Sequence, residues 1–550
     1  MKRVVPFAFL LFSSTLVTSL AGAQGLAGTP VHGNFQFDGQ YYVPDSIIGA
    51  PNPPDEKFLN NAFANFNYES DNFLAGLRYE SYLNPLLGFD PLYKGSGISY
   101  RYLTYRNDKL EVTAGNFYEQ FGSGLTFRSY EERQLGVDNA MDGIRVRIKP
   151  VNGVYLKGLV GRQRNFWTLG EGILRGGDAE LNFNEAFTSW NTKKTQLIIG
   201  GSFMSKYQSD QNPDYILPEN VGCGGGRISL MNGGWTLSSE YSHKINDPST
   251  INNYIYKDGN AFLVNLGYNQ KGFAVLLSAK NIDNMSYRSE RDATGNSLNI
   301  NYLPALTKTH TYLLPAIYPY ATQPNGEVAY QGEVFFNLKP NSPLGGQYGT
   351  DLTVNYSRAT DIYKTNLNDS TGYTTSFFKP GDEVFFEDFN VEINHKWSKS
   401  LRTILTYVYL NYNKDVIEGR DGFGHVYSHS GILETIWKIT SKKTLRTELQ
   451  HLYTKQDQQS WAVVLAEYTI SPKWSFAAFD EYNYGNTHTD LGGKYDQRIH
   501  YFTGTVAFTN NANRFSLGYG RQRAGIICVG GVCRNVPASS GLSVSITSSF

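Results

Sequence analysis

Beyond residue 23 the sequence contains no run of roughly 18 apolar residues, the least a membrane-spanning helix needs, which excludes a helical membrane protein. It also lacks a charge excess. The 49 Lys and Arg balance 49 Asp and Glu, so there is no basic surplus for binding nucleic acid. Near-zero net charge is equally a poor basis for a freely soluble surface. Enzyme signatures are missing: there is no Gly-x-Ser-x-Gly elbow, no Gly-x-x-x-x-Gly-Lys-Ser/Thr phosphate cradle and no His-Glu-x-x-His. The nine histidines are scattered, and His310, His395, His425, His429 and His451 fall in or beside expected strands as polar girdle or lumen groups. No catalytic residue, metal site or cofactor is therefore expected. The one enzymatic alternative is a barrel hydrolase built on a lone Ser and His.

The chain does have rings. Aromatics make up 14% of its 550 residues, yet mean hydropathy is negative. The rings alternate with polar residues instead of gathering in long apolar segments, and no composition break divides the chain. Met1 to Ala23 reads as a secretory signal peptide: Lys2 and Arg3 begin it, Val4 to Leu20 is apolar, and Ala21-Gly22-Ala23 is a small-x-small cleavage site. No cysteine follows that site to take a lipid anchor. An exported chain without a spanning helix is either soluble or a barrel.

The rhythm decides for the barrel. In Gly143 to Lys149, Ile144, Val146 and Ile148 take one face while Arg145, Arg147 and Lys149 take the other. In Phe389 to Trp397, Phe389, Val391 and Ile393 oppose Asn390, Glu392, Asn394 and Lys396. In Leu445 to Gln450, Leu445 and Leu449 oppose Arg446, Glu448 and Gln450. Such charges are tolerable only on a wet face, since Arg or Lys at the lipid midplane costs about 2–4 kcal/mol. Leu401 to Tyr412, Phe73 to Leu83 and Phe262 to Leu266 carry apolar residues on both faces, so part of the lumen is expected to be filled. Short polar turns such as Ser70-Asp71-Asn72, Asn107-Asp108-Lys109, Asn232-Gly233-Gly234 and Lys271-Gly272 alternate with long segments such as Pro44 to Lys57, Asn84 to Gly95 and Met285 to Gln323. Counting them predicts an all-β, antiparallel up-and-down transmembrane barrel of about 24 strands, with periplasmic turns and extracellular loops. Gly33 to Val43 is the first expected strand, and the space before it leaves no room for an N-terminal plug. Residues 24–550 are read as one domain.

In the last strand, Leu542, Val544, Ile546 and Phe550 share one face. This ending looks like the assembly signal read by the barrel insertion machinery, so that machinery and outer-membrane lipid are the expected partners. Phe121 to Asp142, preceded by Glu119, holds Arg128, Glu131, Glu132, Arg133, Asp138 and Asp142, with Arg145 and Arg147 on the strand that follows. These residues are the candidates for a lumen constriction of mixed charge. The competing reading is a solvated extracellular loop. The second half of Met285 to Gln323 is oddly apolar for a free loop, so it either packs into the barrel mouth or docks an envelope protein. Cys528 and Cys533 flank Val529-Gly530-Gly531-Val532, a flexible link that lets their sulfurs meet in an oxidising compartment. A disulfide is expected there, with two free thiols as the alternative. Cys223 is given no role.

Two stretches carry a resemblance. Gly115 to Leu125, continuing through Tyr130-Glu131-Glu132-Arg133 to Asp138-Asn139, is one; Cys528 to Arg534, through Val536-Pro537-Ala538 to the terminal strand, is the other. Both resemble a family of uncharacterised outer-membrane β-barrels of the Bacteroidota. The resemblance implies a fold and a place in the outer membrane and brings no activity. Two functions fit: a porin-like channel passing small polar solutes, or a non-conducting surface or assembly protein whose long loops bind a secretion or envelope partner.

Overall fold

A computed structural model describes residues 31–486 and 498–550 of the protein. The expected leader, Met1 to Ala23, lies outside the described residues. A two-residue rhythm gives each strand one oily and one polar face, and antiparallel neighbours in phase align those faces into continuous surfaces. Here 24 antiparallel strands form one sheet that closes on itself. Strand Val31–Tyr42 makes the closure. It pairs with Phe58–Glu69 on one side and with Ser539–Ser549 on the other, setting Phe37 opposite both Ala62 and Ile546. At the end of this seam Gly33 and Phe550 exchange backbone hydrogen bonds of 2.9 and 3.0 Å. Pairing around the full ring leaves no strand edge to be satisfied by solvent, the condition for crossing hydrocarbon as a sheet.

The two faces differ as the alternation predicts. Leu103, Ile144, Leu405, Leu449 and Val464 are each more than half exposed although large and apolar, and they point outward. Their neighbours Thr104, Thr406, Glu448 and Gln450 are buried on the inner face. Near the short turns the outer face carries aromatic pairs on adjacent strands: Phe73 with Tyr105 at 5.3 Å, Trp235 with Tyr268 at 4.6 Å, Phe273 with Phe336 at 6.2 Å and Trp474 with Phe508 at 4.8 Å. Rings gather at such a level because one edge prefers hydrocarbon and the other prefers headgroups.

Both described ends of the chain emerge on the side of the short turns. The turn between Asn220–Asn232 and Trp235–Lys244 is Gly233-Gly234, with Gly233 at φ +58°. A Cβ at Gly234 would meet the Asn269 carbonyl at 2.3 Å, so that turn needs its glycines. The strict alternation of short and long connections fails in four places, one of them the three-residue link 369–371 between the strands Thr350–Asn368 and Gly372–Lys396 on the loop side. Asn165 returns to Thr168 through only Phe166-Trp167 on the loop side. On the turn side, residues 183–194 and 339–349 make longer links. The first of these contains the helical turn Phe183–Ala186, capped by the Asn182 side chain and packed through the rings of Phe183, Phe187 and Trp190. The hydrophobic core lies inside the cylinder, in its loop-side half. There Phe121, Leu125, Met285, Ile300 and Leu314 from inward segments meet Val408, Leu410 and Trp461 of the wall. Inner-face apolar residues such as Val408 and Tyr412 are the reason some strands read as apolar on both faces.

Candidate functional site: a lumen plugged by three inward segments

The first segment links strands Leu110–Phe117 and Met141–Ile148. It folds into two small hairpins, Glu119–Phe121 with Phe127–Ser129 and Glu131–Glu132 with Val137–Asp138. Gly122 and Gly124 turn its tip at φ +53° and +103°. That tip crosses the lumen. The Ser123 amide donates to the Glu240 carboxylate at 2.6 Å, and Thr126 and Ser242 hydroxyls meet at 2.8 Å, both on the strand Trp235–Lys244.

The second segment, residues 284–326, enters from the strand Phe273–Asp283 and spans the rest of the mouth. Its wall anchors lie far apart in sequence. Tyr287 donates to the Val221 carbonyl at 2.9 Å, His310 meets Asp388 at 2.8 Å, Tyr312 donates to Glu434 at 2.9 Å, and Tyr318 donates to Asp457 at 3.2 Å. His310 thus lies in this segment, beside the strand Gly372–Lys396 that carries Asp388. The third segment is the hairpin Gly525–Val529 with Val532–Val536, where Cys528 and Cys533 form a disulfide. Its Gly530 carbonyl accepts from the Tyr302 hydroxyl at 2.9 Å, and its Cys533 carbonyl accepts from the Asn296 side chain at 2.6 Å. The first two segments are joined in turn: the Arg128 amide donates to the Ile300 carbonyl at 2.8 Å and the Tyr302 amide to the Gly124 carbonyl at 2.9 Å. Three loop-side connections therefore form one interlocked plug.

Three groups of charges lie in or against the plug and the lumen beneath it. Below the plug, on the turn side, Glu119 reaches Arg147 at 2.7 Å, Lys157 at 3.2 Å and Arg145 at 3.8 Å, while Glu111 meets Arg145 at 2.6 Å and Arg147 at 3.2 Å. Arg147, Lys157 and Glu111 there remain partly exposed, so this stretch of lumen is wet. Between the plug and the wall, Arg78 pairs with Glu80, Glu131 and Asp138, and Arg164 forks onto Glu80 at 2.7 Å and Asp138 at 2.6 Å. Glu80, Glu131 and Asp138 have ligand oxygens within 4.8 Å of one another, the spacing of a metal site. The two guanidiniums already occupy that space and balance most of its charge, which makes it an ion-pair network. Against the wall, Lys206 pairs with Asp247 at 2.6 Å and Lys280 with Glu327 at 2.7 Å. Burial alone would raise the Asp247 carboxyl, but Lys206, Lys244 and Arg291 outweigh it and hold the group below the usual carboxylate range.

The constriction candidates do not act as one set. Glu119, Arg145 and Arg147 belong to the wet group. Glu131 and Asp138 belong to the plug network, and Arg133 joins it through Glu131 at 2.8 Å while stacking on Phe63. Glu132 accepts from the Gln134 amide at 3.2 Å. Arg128 lies between the rings of Tyr130 and Tyr302, at 4.5 and 4.1 Å. Asp142 requires a correction: it pairs with Arg101 at 3.2 Å, and the Arg101 side chain is largely exposed. Asp142 shares the parity of Ile144 and Val146, so its side chain leaves the strand on the outer face. The alternation of that strand carried this information already.

A model of the family of unknown function DUF6029 matches residues 1–550. The chain belongs to that family. No curated protein matches this DUF6029 chain. Among solved structures it is similar to the P pilus usher (PapC) translocation pore, with 11% identity and TM-score 0.43 over 94% of this chain and 99% of that one. It is similar also to the siderophore receptor PirA of Pseudomonas aeruginosa, with 9% identity and TM-score 0.41 over 95% and 81% of the two chains. A third is Wzi, an Escherichia coli outer-membrane protein involved in group 1 capsule assembly, with 9% identity and TM-score 0.33 over 72% and 84%. Several buried residues of the DUF6029 chain carry no motif and escape sequence reasoning, Lys206, Asp247 and Glu327 among them. Strand parity does flag Lys280, because Phe273, Val275 and Leu277 fill the opposite face.

Proposed function

We propose that this protein is an outer-membrane barrel acting as a porin-like channel for small polar solutes, with passage controlled by the plug of inward segments. The observation that carries this reading is the wet, mixed-charge stretch formed by Glu111, Glu119, Arg145, Arg147 and Lys157 beneath the plug. A lumen lined in this way, with cationic groups in slight excess, selects by charge and size. Export through the leader and assembly by the barrel insertion machinery belong to the same reading, and the apolar outer belt with its aromatic girdle supports the outer-membrane placement. The fully buried apolar centre of the plug favours a second reading, a non-conducting barrel whose loops bind an envelope or secretion partner.

Planar-bilayer conductance of the purified protein separates the two. Deleting Gly122 to Asp138 removes the crossing tip and part of the plug, so the open-channel current is expected to rise. A current that stays at baseline in both the full chain and the deletion variant would overturn the channel.

A further inference from the structure

Strands Thr350–Asn368 and Gly372–Lys396 run for 19 and 25 residues, longer than any other strand in the sheet. Their regular pairing ends where Ala359 faces Phe386, and beyond that point the register shifts repeatedly. Residues 360–384 therefore form an arm that leaves the ring. The arm folds back over the outside of the wall. On Phe273–Asp283, Ser278 and Lys280 face the lumen, so Asn281 and Asp283 leave on the outer face, and Val328 pairs with Asn281 and shares that face. Residues so placed would meet solvent or lipid, yet all three are buried. The arm covers them. The Phe378 amide donates to the Asn281 side-chain oxygen at 3.3 Å, and the Tyr373 and Thr375 hydroxyls donate to Asp283 at 2.8 and 3.0 Å.

The covered place is the loop-side edge of the apolar outer belt. Val264, Ala279 and Tyr330 form one outer row, Asn260 and Asp283 form a polar row above it, and Phe262 sits between the two. Such a change marks the level where hydrocarbon gives way to headgroups. The arm sets two adjacent rings at this level. Neighbours in a strand point to opposite faces. Phe378 breaks that rule with φ +57°, so Phe377 and Phe378 both reach the Phe262 ring at 5.6 Å, and Phe378 also meets Tyr330 at 6.2 Å. A bulky residue in the left-handed region is costly and persists only where its surroundings hold it. Phe377 is nevertheless 61% exposed. Beside it, Lys379 lies 3.4 Å from the centre of the exposed Tyr363 ring and pairs with no carboxylate among the described residues.

We propose that this arm is seated in the outer leaflet, with Phe377 at the boundary between acyl chains and headgroups and Lys379 on the phosphate of a lipid headgroup. Rings favour that boundary. The long lysine stem lies along apolar surface while its ammonium reaches phosphate. Continuity of the rings with the outer belt identifies lipid as the occupant, and the unpaired ammonium identifies an anionic headgroup. The seated arm grips Asp283, after which the second plug segment begins, so the lipid contact braces the root of the plug. The proposal rests on the outer-membrane reading, and its test separates the two.

A nitroxide on Phe377→Cys, in the full chain folded into phosphatidylglycerol vesicles, reads depth as the ratio of collisions with oxygen to collisions with a water-soluble nickel chelate. Cys223 is buried and Cys528 and Cys533 form a disulfide, so the new thiol alone takes the label. Leu449→Cys on the outer belt and Ile216→Cys on an exposed loop are the references. The ratio at Phe377→Cys is expected near that of Leu449→Cys. A ratio equal to that of Ile216→Cys, with Leu449→Cys in lipid, would overturn the seated arm alone. A watery Leu449→Cys would overturn the membrane reading and the arm with it. Hydrogen exchange of residues 372–384 in the unaltered protein tests the headgroup and needs no label. Exchange should be about fivefold slower in phosphatidylglycerol than in vesicles of uncharged, phosphate-free digalactosyl diacylglycerol, and Lys379→Gln should abolish the difference. Equal exchange in the two lipids, or a difference that survives Lys379→Gln, would overturn the phosphate contact.

Discussion

Glu327→Gln should release the second plug segment from the barrel wall. Lys280 and Glu327 lie diagonally on adjacent strands, where Lys280 faces Ala329 and Glu327 faces Ile282; both are fully buried, with 2.7 Å between ammonium and carboxylate. The ammonium also donates to the Pro304 carbonyl at 2.5 Å. The second carboxylate oxygen accepts from the Tyr320 hydroxyl at 2.7 Å and the Gln323 amide at 2.8 Å. One pair thus ties Pro304, Tyr320 and Gln323 of residues 284–326 to the wall. Neutralising Glu327 leaves the Lys280 ammonium buried beside a carbonyl. Breaking a buried pair in this way costs about 3–5 kcal/mol, and desorption of the segment restores water to the charge. At about 1.4 kcal/mol per factor of ten, local opening becomes on the order of 10² to 10³ times more frequent. Hydrogen exchange read by mass spectrometry on micelle-bound protein measures this directly. Peptides within 300–326 should lose protection, while the hairpin of Gly95–Arg106 with Leu110–Phe117 keeps its own. Replacing both residues, Lys280→Met with Glu327→Leu, should lose less protection than the single change, because no buried charge is left alone. Unchanged exchange in the single variant would show that the pair does not hold the segment and would refute the reasoning.

Two further outcomes follow from the same geometry. Ile144→Arg, on the outer face, should destabilise insertion by about 2–4 kcal/mol, measured as folding into vesicles against urea; an unaffected midpoint would mean that this face does not meet lipid. Replacing Cys528 and Cys533 by serine frees the hairpin that supplies the Gly530 and Gly531 carbonyls to Tyr302, Ala305 and Thr322, so exchange should rise at Ala305 and Thr322 as well as within the hairpin. A rise limited to the hairpin itself would show that it does not brace the plug.

Much of the barrel was legible because its cause is local. Ile144, Val146 and Ile148 against Arg145 and Arg147 fix a face within six residues, and Ser70-Asp71-Asn72 or Lys271-Gly272 mark where the chain must turn. The expected number of strands agrees with the 24 in the sheet. Asp142 shows the rule applied too loosely, since its parity with Ile144 already placed it outside. The exceptions to the turn-and-loop alternation were harder to read. Phe166-Trp167 closes a hairpin where a long loop was expected, because rings pack inward there, Phe166 against Tyr93 at 4.8 Å. The plug was only half legible: the apolar character of Tyr302 to Tyr320 announced burial and left its partners open.

What the amino-acid order determined alone is the cylinder: alternation repeats every two residues, and the backbone obeys it without reference to distant parts of the chain. Which charges meet was decided only by closure of the ring. Arg78 finds Asp138 and Tyr312 finds Glu434 across separations that no periodicity encodes. Pairing at that range follows from the curvature of the wall and the volume left inside it, and both exist only once the last strand has joined the first.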